Sequence, residues 1–207
     1  LLALMVLGPF LGNGVRLAVD WLWFGEQGYR VIYLTILKAQ ITLSGLAGMG
    51  FIIVTGVNLL VARAVARRQG PRGYSEMTDF PALDRFSSVF RGLIWVGILL
   101  VGYVLGQWGT THWHDYLLAQ QATAIGQTDP LFGIDLGFYL FQLPFRWFLY
   151  HLGLITLVGC LLSTTFYYLL EGGVWVTPRG PKIAPAARAH LFIFGALLLA
   201  MVAYLLR

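Results

Sequence analysis

The chain has 207 residues, of which 58% are hydrophobic, 15% aromatic and only 11% charged. Soluble domains carry about 25% charged residues, so a water-soluble fold is excluded: this much apolar surface calls for a lipid solvent. The formal net charge of +5 does not signal nucleic acid, because the arginines gather between apolar runs, where membrane topology accounts for them.

A helical span needs about 20 mainly apolar residues. Five stretches meet that demand, so the expected fold is all-α: a polytopic transmembrane helical bundle over 1–207, with short interfacial helices in its loops. The first span is 1–24. Residues 1–11 lack a basic n-region and a small-residue cleavage site, so no signal peptide is expected. A chain that opens without Met inside one apolar run and stops just after another reads as a fragment. The second span, 31–66, is long enough to tilt or project into water. Its Gly45, Gly48 and Gly50 would let a neighbouring helix approach closely.

Loop two breaks at Gly70-Pro71-Arg72-Gly73. Leu83, Phe86 and Phe90 then recur at helical spacing opposite Asp84, Arg85 and Ser88. They form either an amphipathic helix on the membrane surface or an extension of the third span, 88–110. In loop three, 114–125 is expected to form a short helix ended by Gly126.

The segment 129–147 follows. Asp129-Pro130 and Gly133 mark a turn, and Phe138, Tyr139, Phe141, Phe145 and Trp147 crowd just before the fourth span, 143–170. Aromatic rings with polar edges settle where lipid meets water. We expect a re-entrant or interfacial turn that packs against the Trp21–Tyr29 loop, where Trp21, Trp23 and Tyr29 lie on the same side. Pro144 should occupy the first turn of span four, where its missing N–H is harmless. The fifth span is 187–206.

Arg63, Arg67, Arg68, Arg72, Arg85 and Arg91 flank or fill loop two, and Arg179, Lys182 and Arg188 lie in loop four. Loop three has Asp115, Asp129 and Asp135 and no Lys or Arg before Arg146. Lys- and Arg-rich loops stay cytoplasmic. The N-terminus and loops two and four are therefore expected inside a bacterial cytoplasmic membrane, with loops one and three outside.

His112-Trp113-His114-Asp115 places two imidazoles on alternate residues, but zinc needs three or four ligands and no Cys or further His is near in sequence. An interfacial polar cluster is the plainer reading. His151 and His190 lie in or beside spans four and five. Either could ligate a haem or pigment metal; the plainer reading is a hydrogen bond to a neighbouring helix for His151, and for His190 a side chain that snorkels near the inner surface. Arg16, Lys38 and Arg146 are cations in outer halves of spans, where long side chains reach the interface. Asp20 lies four residues after Arg16 and so on the same face, a possible ion pair. Cys160 is alone, which excludes an intrachain disulfide and fits a small buried hydrophobe. No phosphate loop, nucleophile elbow or metalloprotease helix appears. We expect no cofactor and no catalytic residues in these spans.

Several segments carry a family resemblance. They are Asp20-Trp21-Leu22-Trp23-Phe24-Gly25-Glu26-Gln27-Gly28-Tyr29, and Gln107-Trp108 with shifted spacing. Asp129-Pro130-Leu131-Phe132-Gly133-Ile134-Asp135 and Phe138-Tyr139-Leu140-Phe141-Gln142-Leu143-Pro144-Phe145 follow, and then Arg188-Ala189-His190-Leu191. In order and over essentially the whole chain, these resemble an uncharacterised (UPF) family of large bacterial integral membrane proteins. The resemblance implies seven N-terminal spans and a large extracytoplasmic domain, of which this chain would hold the first five spans. The family implies no established activity, so it supplies no site residues. Three roles remain open. The first is a structural or accessory subunit of a larger membrane assembly, energy-transducing, photosynthetic or respiratory, with lipid and other subunits as partners. The second is a transporter or channel for a solute or lipid. The third is an enzyme whose active site lies elsewhere.

Overall fold

The computed structural model describes the backbone of 2–68, 81–171, 174–177 and 180–205, and side chains over 14–67, 88–171 and 183–204. Helix α1 is Leu2–Glu26. Gly28, at φ 78°, makes the turn that a Cβ would oppose, and α2 starts at once as Arg30–Ser44. A π-helical turn, Gly45–Met49, leads without a break into α3, Gly50–Arg68. Together they form one rod of 38 apolar-rich residues, Arg30–Arg67. At 1.5 Å per residue it is about 57 Å long, well beyond a hydrocarbon core of about 30 Å.

Helix α4, Pro81–Thr110, is continuous. Of the two readings of Leu83, Phe86 and Phe90, the extension of span three is therefore the one that forms. The Gly70–Gly73 break lies outside the described residues. Helix α5, Trp113–Gln120, ends six residues before Gly126, shorter than expected. A second π-helical turn, Phe138–Gln142, feeds α6, Leu143–Leu170, with Pro144 in its first turn. Loop four carries an antiparallel hairpin, β1 Val174–Thr177 with β2 Gly180–Ile183. Helix α7 is Pro185–Leu205.

Among the described residues, four segments are long and apolar enough to cross a membrane: Arg30–Arg67, Ser88–Thr110, Phe138–Leu170 and Pro185–Tyr204. The first expected span falls on α1, whose side chains before residue 14 lie outside the described residues. The molecule is an all-α membrane bundle built around the long rod. Leu43, Ala47, Phe51 and Leu59 of the rod pack against Ile94, Ile98 and Leu105 of α4 and Phe148, Leu152 and Tyr168 of α6.

Glycine sets the closest approach. A Cβ on Gly48 would lie 2.7 Å from the Gly102 carbonyl oxygen, and one on Gly109 would lie 2.5 Å from that of Leu43. Rod and α4 thus touch backbone to backbone, as small residues allow in lipid. Burial is uneven: 44% of the apolar core of the rod is buried, against 6% for α7.

The segments Trp21–Tyr29 and 129–147, expected to pack on each other, share no ring-to-ring contact among the described residues. Trp21 and Phe24 pack on Tyr33 of α2, at centroid distances of 6.1 and 5.3 Å. Phe145 instead meets Tyr116 of α5 and Phe148. Helix α5 packs against both α2 and α6 and so links the two regions.

Candidate functional site

The most connected polar constellation lies inside the bundle, between α3, α6 and α7. Thr55 and Asn58 project from one face of α3, and Cys160, Thr164 and Tyr168 repeat every fourth residue along α6. All five are buried. The half-buried His190 arrives from α7. At lipid depth no water is at hand, so each polar atom needs a protein partner.

The partners fix the direction of every bond. Asn58 Nδ2 lies 3.3 Å from the Cys160 carbonyl oxygen, which can only accept, and donates also to Thr164 Oγ1 at 2.6 Å. Asn58 Oδ1 therefore faces His190 Nε2, 3.0 Å away, and that nitrogen must carry the proton. His190 Nδ1 is then an acceptor, and Tyr168 Oη donates to it at 2.9 Å. A one-way chain runs from Tyr168 through His190 and Asn58 to Thr164. At its side the Cys160 thiol donates to Thr55 Oγ1 at 3.7 Å. His190 thus turns both ring nitrogens to protein partners inside the bundle, where a side chain snorkelling to the surface is the plainer expectation.

Sequence reading singled out His190 and Cys160 but missed Thr55, Asn58, Thr164 and Tyr168. Two signals were available. Thr55 and Asn58 are the polar residues in the apolar run 50–62, three apart on one face, and the α6 trio is spaced by four.

The other expected residues disperse. His151 Nδ1 lies 2.8 Å from the Trp147 carbonyl oxygen, and its ring stacks on Trp147 at the exposed surface of α6. His112 stacks on Phe148 while His114 sits against Trp113. Among the described residues no three His, Cys, Asp or Glu side chains come together as metal ligands would. Arg16 and Asp20 are both exposed and the pair is not made, as an exposed i,i+4 pair gains little. Arg146 lies over the Phe138 ring at 4.9 Å and donates to Gln142 Oε1 at 3.4 Å. Arg30 covers Trp21 at 5.3 Å. Trp23 and Tyr29 remain exposed, as interfacial rings are, and so does Lys38.

Asp129, Pro130, Asp135 and Tyr139 do converge, on building loop three. Asp129 Oδ1 accepts the Leu131 N–H at 3.1 Å across Pro130, and its Oδ2 accepts the Tyr139 hydroxyl at 3.2 Å. Asp135 gathers three backbone N–H groups: Ile125 at 3.0 Å, Gly126 at 2.9 Å and Gly137 at 2.7 Å. Those donors hold the Asp135 carboxyl below the usual carboxylate range. A lowered folded pKa means that the carboxylate supports the loop fully above the unfolded value of about 4. That support is lost as pH falls from there through the folded value. Amide exchange of 122–137 is therefore expected to be flat above about pH 4, after correction for intrinsic rates, and to accelerate below it. Asp135→Asn should lower protection at neutral pH and remove that acid dependence; a loop equally protected in both proteins at pH 7 would refute the assignment.

Residues 1–207 match the uncharacterised protein family UPF0182 throughout. The chain is 32% identical to a UPF0182 protein of Salinispora tropica over 212 residues, covering 100% of this chain and 21% of that protein. It is 35% identical to one of Mycolicibacterium vanbaalenii, covering 91% of this chain and 18% of the relative. A Geobacter sulfurreducens relative is 30% identical, over 92% of this chain and 22% of its own length. The chain thus spans about a fifth of the length of these bacterial proteins. No solved structure matches it.

Proposed function

This chain belongs to the uncharacterised protein family UPF0182, and from that premise we propose that its helices form a docking scaffold, a structural or accessory unit of a larger membrane assembly. The observation that carries this reading is α7. Only 6% of its apolar core is buried, while its beginning is pinned by the His190 chain and by Ala184 and Ala187, which are fully covered. A helix held at one end and bare along its length, with Phe192, Leu199 and Tyr204 about 70% exposed, offers its surface to lipid or to further helices. We assign these spans no catalytic role.

The test is purification of the full-length protein under mild detergent. It should migrate with other integral membrane polypeptides, and α7 surface substitutions such as Leu199→Gln should release them. A stand-alone particle that moves solute across proteoliposomes would overturn the scaffold in favour of a transporter or channel. One observation favours that alternative. The π-helical turn at Gly45–Met49 interrupts the rod at mid-length beside a groove holding Gln40, Ser44, Gln107 and Thr110, and such turns often mark functional positions.

We also propose a bacterial inner-membrane location with the N-terminus cytoplasmic, from the Arg and Lys asymmetry. In a Cys160→Ala background, Thr123→Cys should react with an impermeant thiol reagent in intact cells and Ser75→Cys should not. The opposite pattern would reverse the orientation.

A further inference from the structure

Three spans meet at their loop-two ends around a small cavity of about 170 Å³. Leu59 and Arg63 of α3, Arg91 and Trp95 of α4 and Tyr167 of α6 line it. The spans themselves set its depth. Arg63 stands four residues before the end of the apolar segment Arg30–Arg67, Arg91 three residues into Ser88–Thr110, and Tyr167 three residues before the end of Phe138–Leu170. Each is about one helical turn, or about 5 Å, inside its apolar boundary. Arginine and aromatic side chains at that depth reach the headgroup region rather than the hydrocarbon.

The lining has the chemistry of an anion site. Arg91 Nη1 donates to Glu171 Oε1 at 2.8 Å, which ties its guanidinium between α4 and α6. The two side chains are 42% and 28% exposed, so a ligand can still reach the guanidinium. Arg63, Arg91 and Glu171 all act electrostatically on Tyr167, which places the four groups in one corner. Among the described residues, two guanidinium groups there face one carboxylate, a surplus of one positive charge and the complement of one phosphodiester. Planar guanidinium forks match phosphate oxygens in pairs. Size narrows the ligand further. The cavity is well under the roughly 300 Å³ at which pockets for whole small molecules begin. It takes a charged group whose remainder lies outside. Basic pockets between spans at the headgroup level recognise anionic lipids in this way.

We propose that this cavity binds the phosphate of an anionic phospholipid from the leaflet on the loop-two side. Arg63 and Arg91 hold the phosphate oxygens, Glu171 positions Arg91, and the acyl chains remain in the bilayer.

The full-length protein, purified in mild detergent and stripped of lipid, would be titrated with phosphatidylglycerol, phosphatidylcholine and inorganic phosphate. Phosphatidylglycerol should bind most tightly. Arg63 is exposed, so its replacement leaves the core intact. Arg63→Gln should weaken phosphatidylglycerol about fivefold, or ~1 kcal/mol, as for one basic residue near a membrane surface. Arg63→Lys, a point charge in place of a fork, should recover only part of that loss. Arg67→Gln removes the same charge about one turn further along α3, at a position that does not line the cavity, and should leave the affinity unchanged. Equal losses in Arg63→Gln and Arg67→Gln would overturn the site in favour of diffuse attraction to a basic surface. Equal affinity of the wild type for the two lipids would overturn selection for a net negative headgroup. Inorganic phosphate that binds as tightly as phosphatidylglycerol, with the same loss in Arg63→Gln, would overturn the lipid source and leave a site for a soluble anion.

Discussion

Gly109→Ala should destabilise the full-length protein by about 1–3 kcal/mol, the usual cost of forcing atoms into a packed interface. The new methyl would sit 2.5 Å from the Leu43 carbonyl oxygen and 3.0 Å from the Ala47 Cβ. Neither neighbour can swing aside, because one is helix backbone and the other a methyl at a fully buried position. Relief requires α4 to move off the rod, and that contact anchors the bundle. Gly97 on the same helix is the control, since its Cβ meets nothing within 4 Å. There alanine should be neutral or stabilising by up to about 1 kcal/mol, its helix-propensity advantage over glycine. Unfolding in detergent, monitored by circular dichroism, reads both. Equal effects at the two positions would show that the backbone contact does not hold the helices together.

Asn58→Leu is the second large effect. It deletes the bonds to Thr164, the Cys160 carbonyl and His190 in one step. Hydrogen bonds between membrane helices average about 0.6 kcal/mol by double-mutant cycle, so three lost bonds predict about 2 kcal/mol. The loss should fall unevenly. Helix α7 has little other burial, so amide exchange near His190 should quicken before that of α3 or α6. A cycle with His190→Phe should return a coupling of about 0.6–1.7 kcal/mol. Zero coupling would mean that the two side chains do not communicate, and that Ala184 and Ala187 hold α7 by packing alone.

The two effects differ in how far the sequence announces them. Gly109 lies in the series Gly102, Gly106, Gly109 on span three, and Gly45, Gly48 and Gly50 stand out on span two. The sequence shows that each helix permits close approach. It does not show which glycine meets which backbone, since every transmembrane helix is rich in glycine. The π-helical turn at Gly45–Met49 rotates the following residues relative to a regular helix, and periodicity read at 3.6 residues per turn does not detect that shift.

Sequence by itself determined the membrane solvent, the all-α class, the place of Pro144 and the turn at Asp129–Gly133. Each follows from local rules: a span must be apolar for about 20 residues, and proline and glycine restrict the backbone wherever they stand. Tertiary structure decided what meets what. Asn58, Thr164, Tyr168 and His190 are separated by up to 132 positions, and nothing in a single segment says that they will complete one another. His190 read alone could face water, a metal or a neighbour; that its Nε2 donates to Asn58 was set by a carbonyl on α6 that could only accept. The same holds for Arg16 and Asp20, which share a helical face yet stay apart. Proximity along a helix permits an ion pair, but in an exposed setting the gain is too small to hold two long side chains in place.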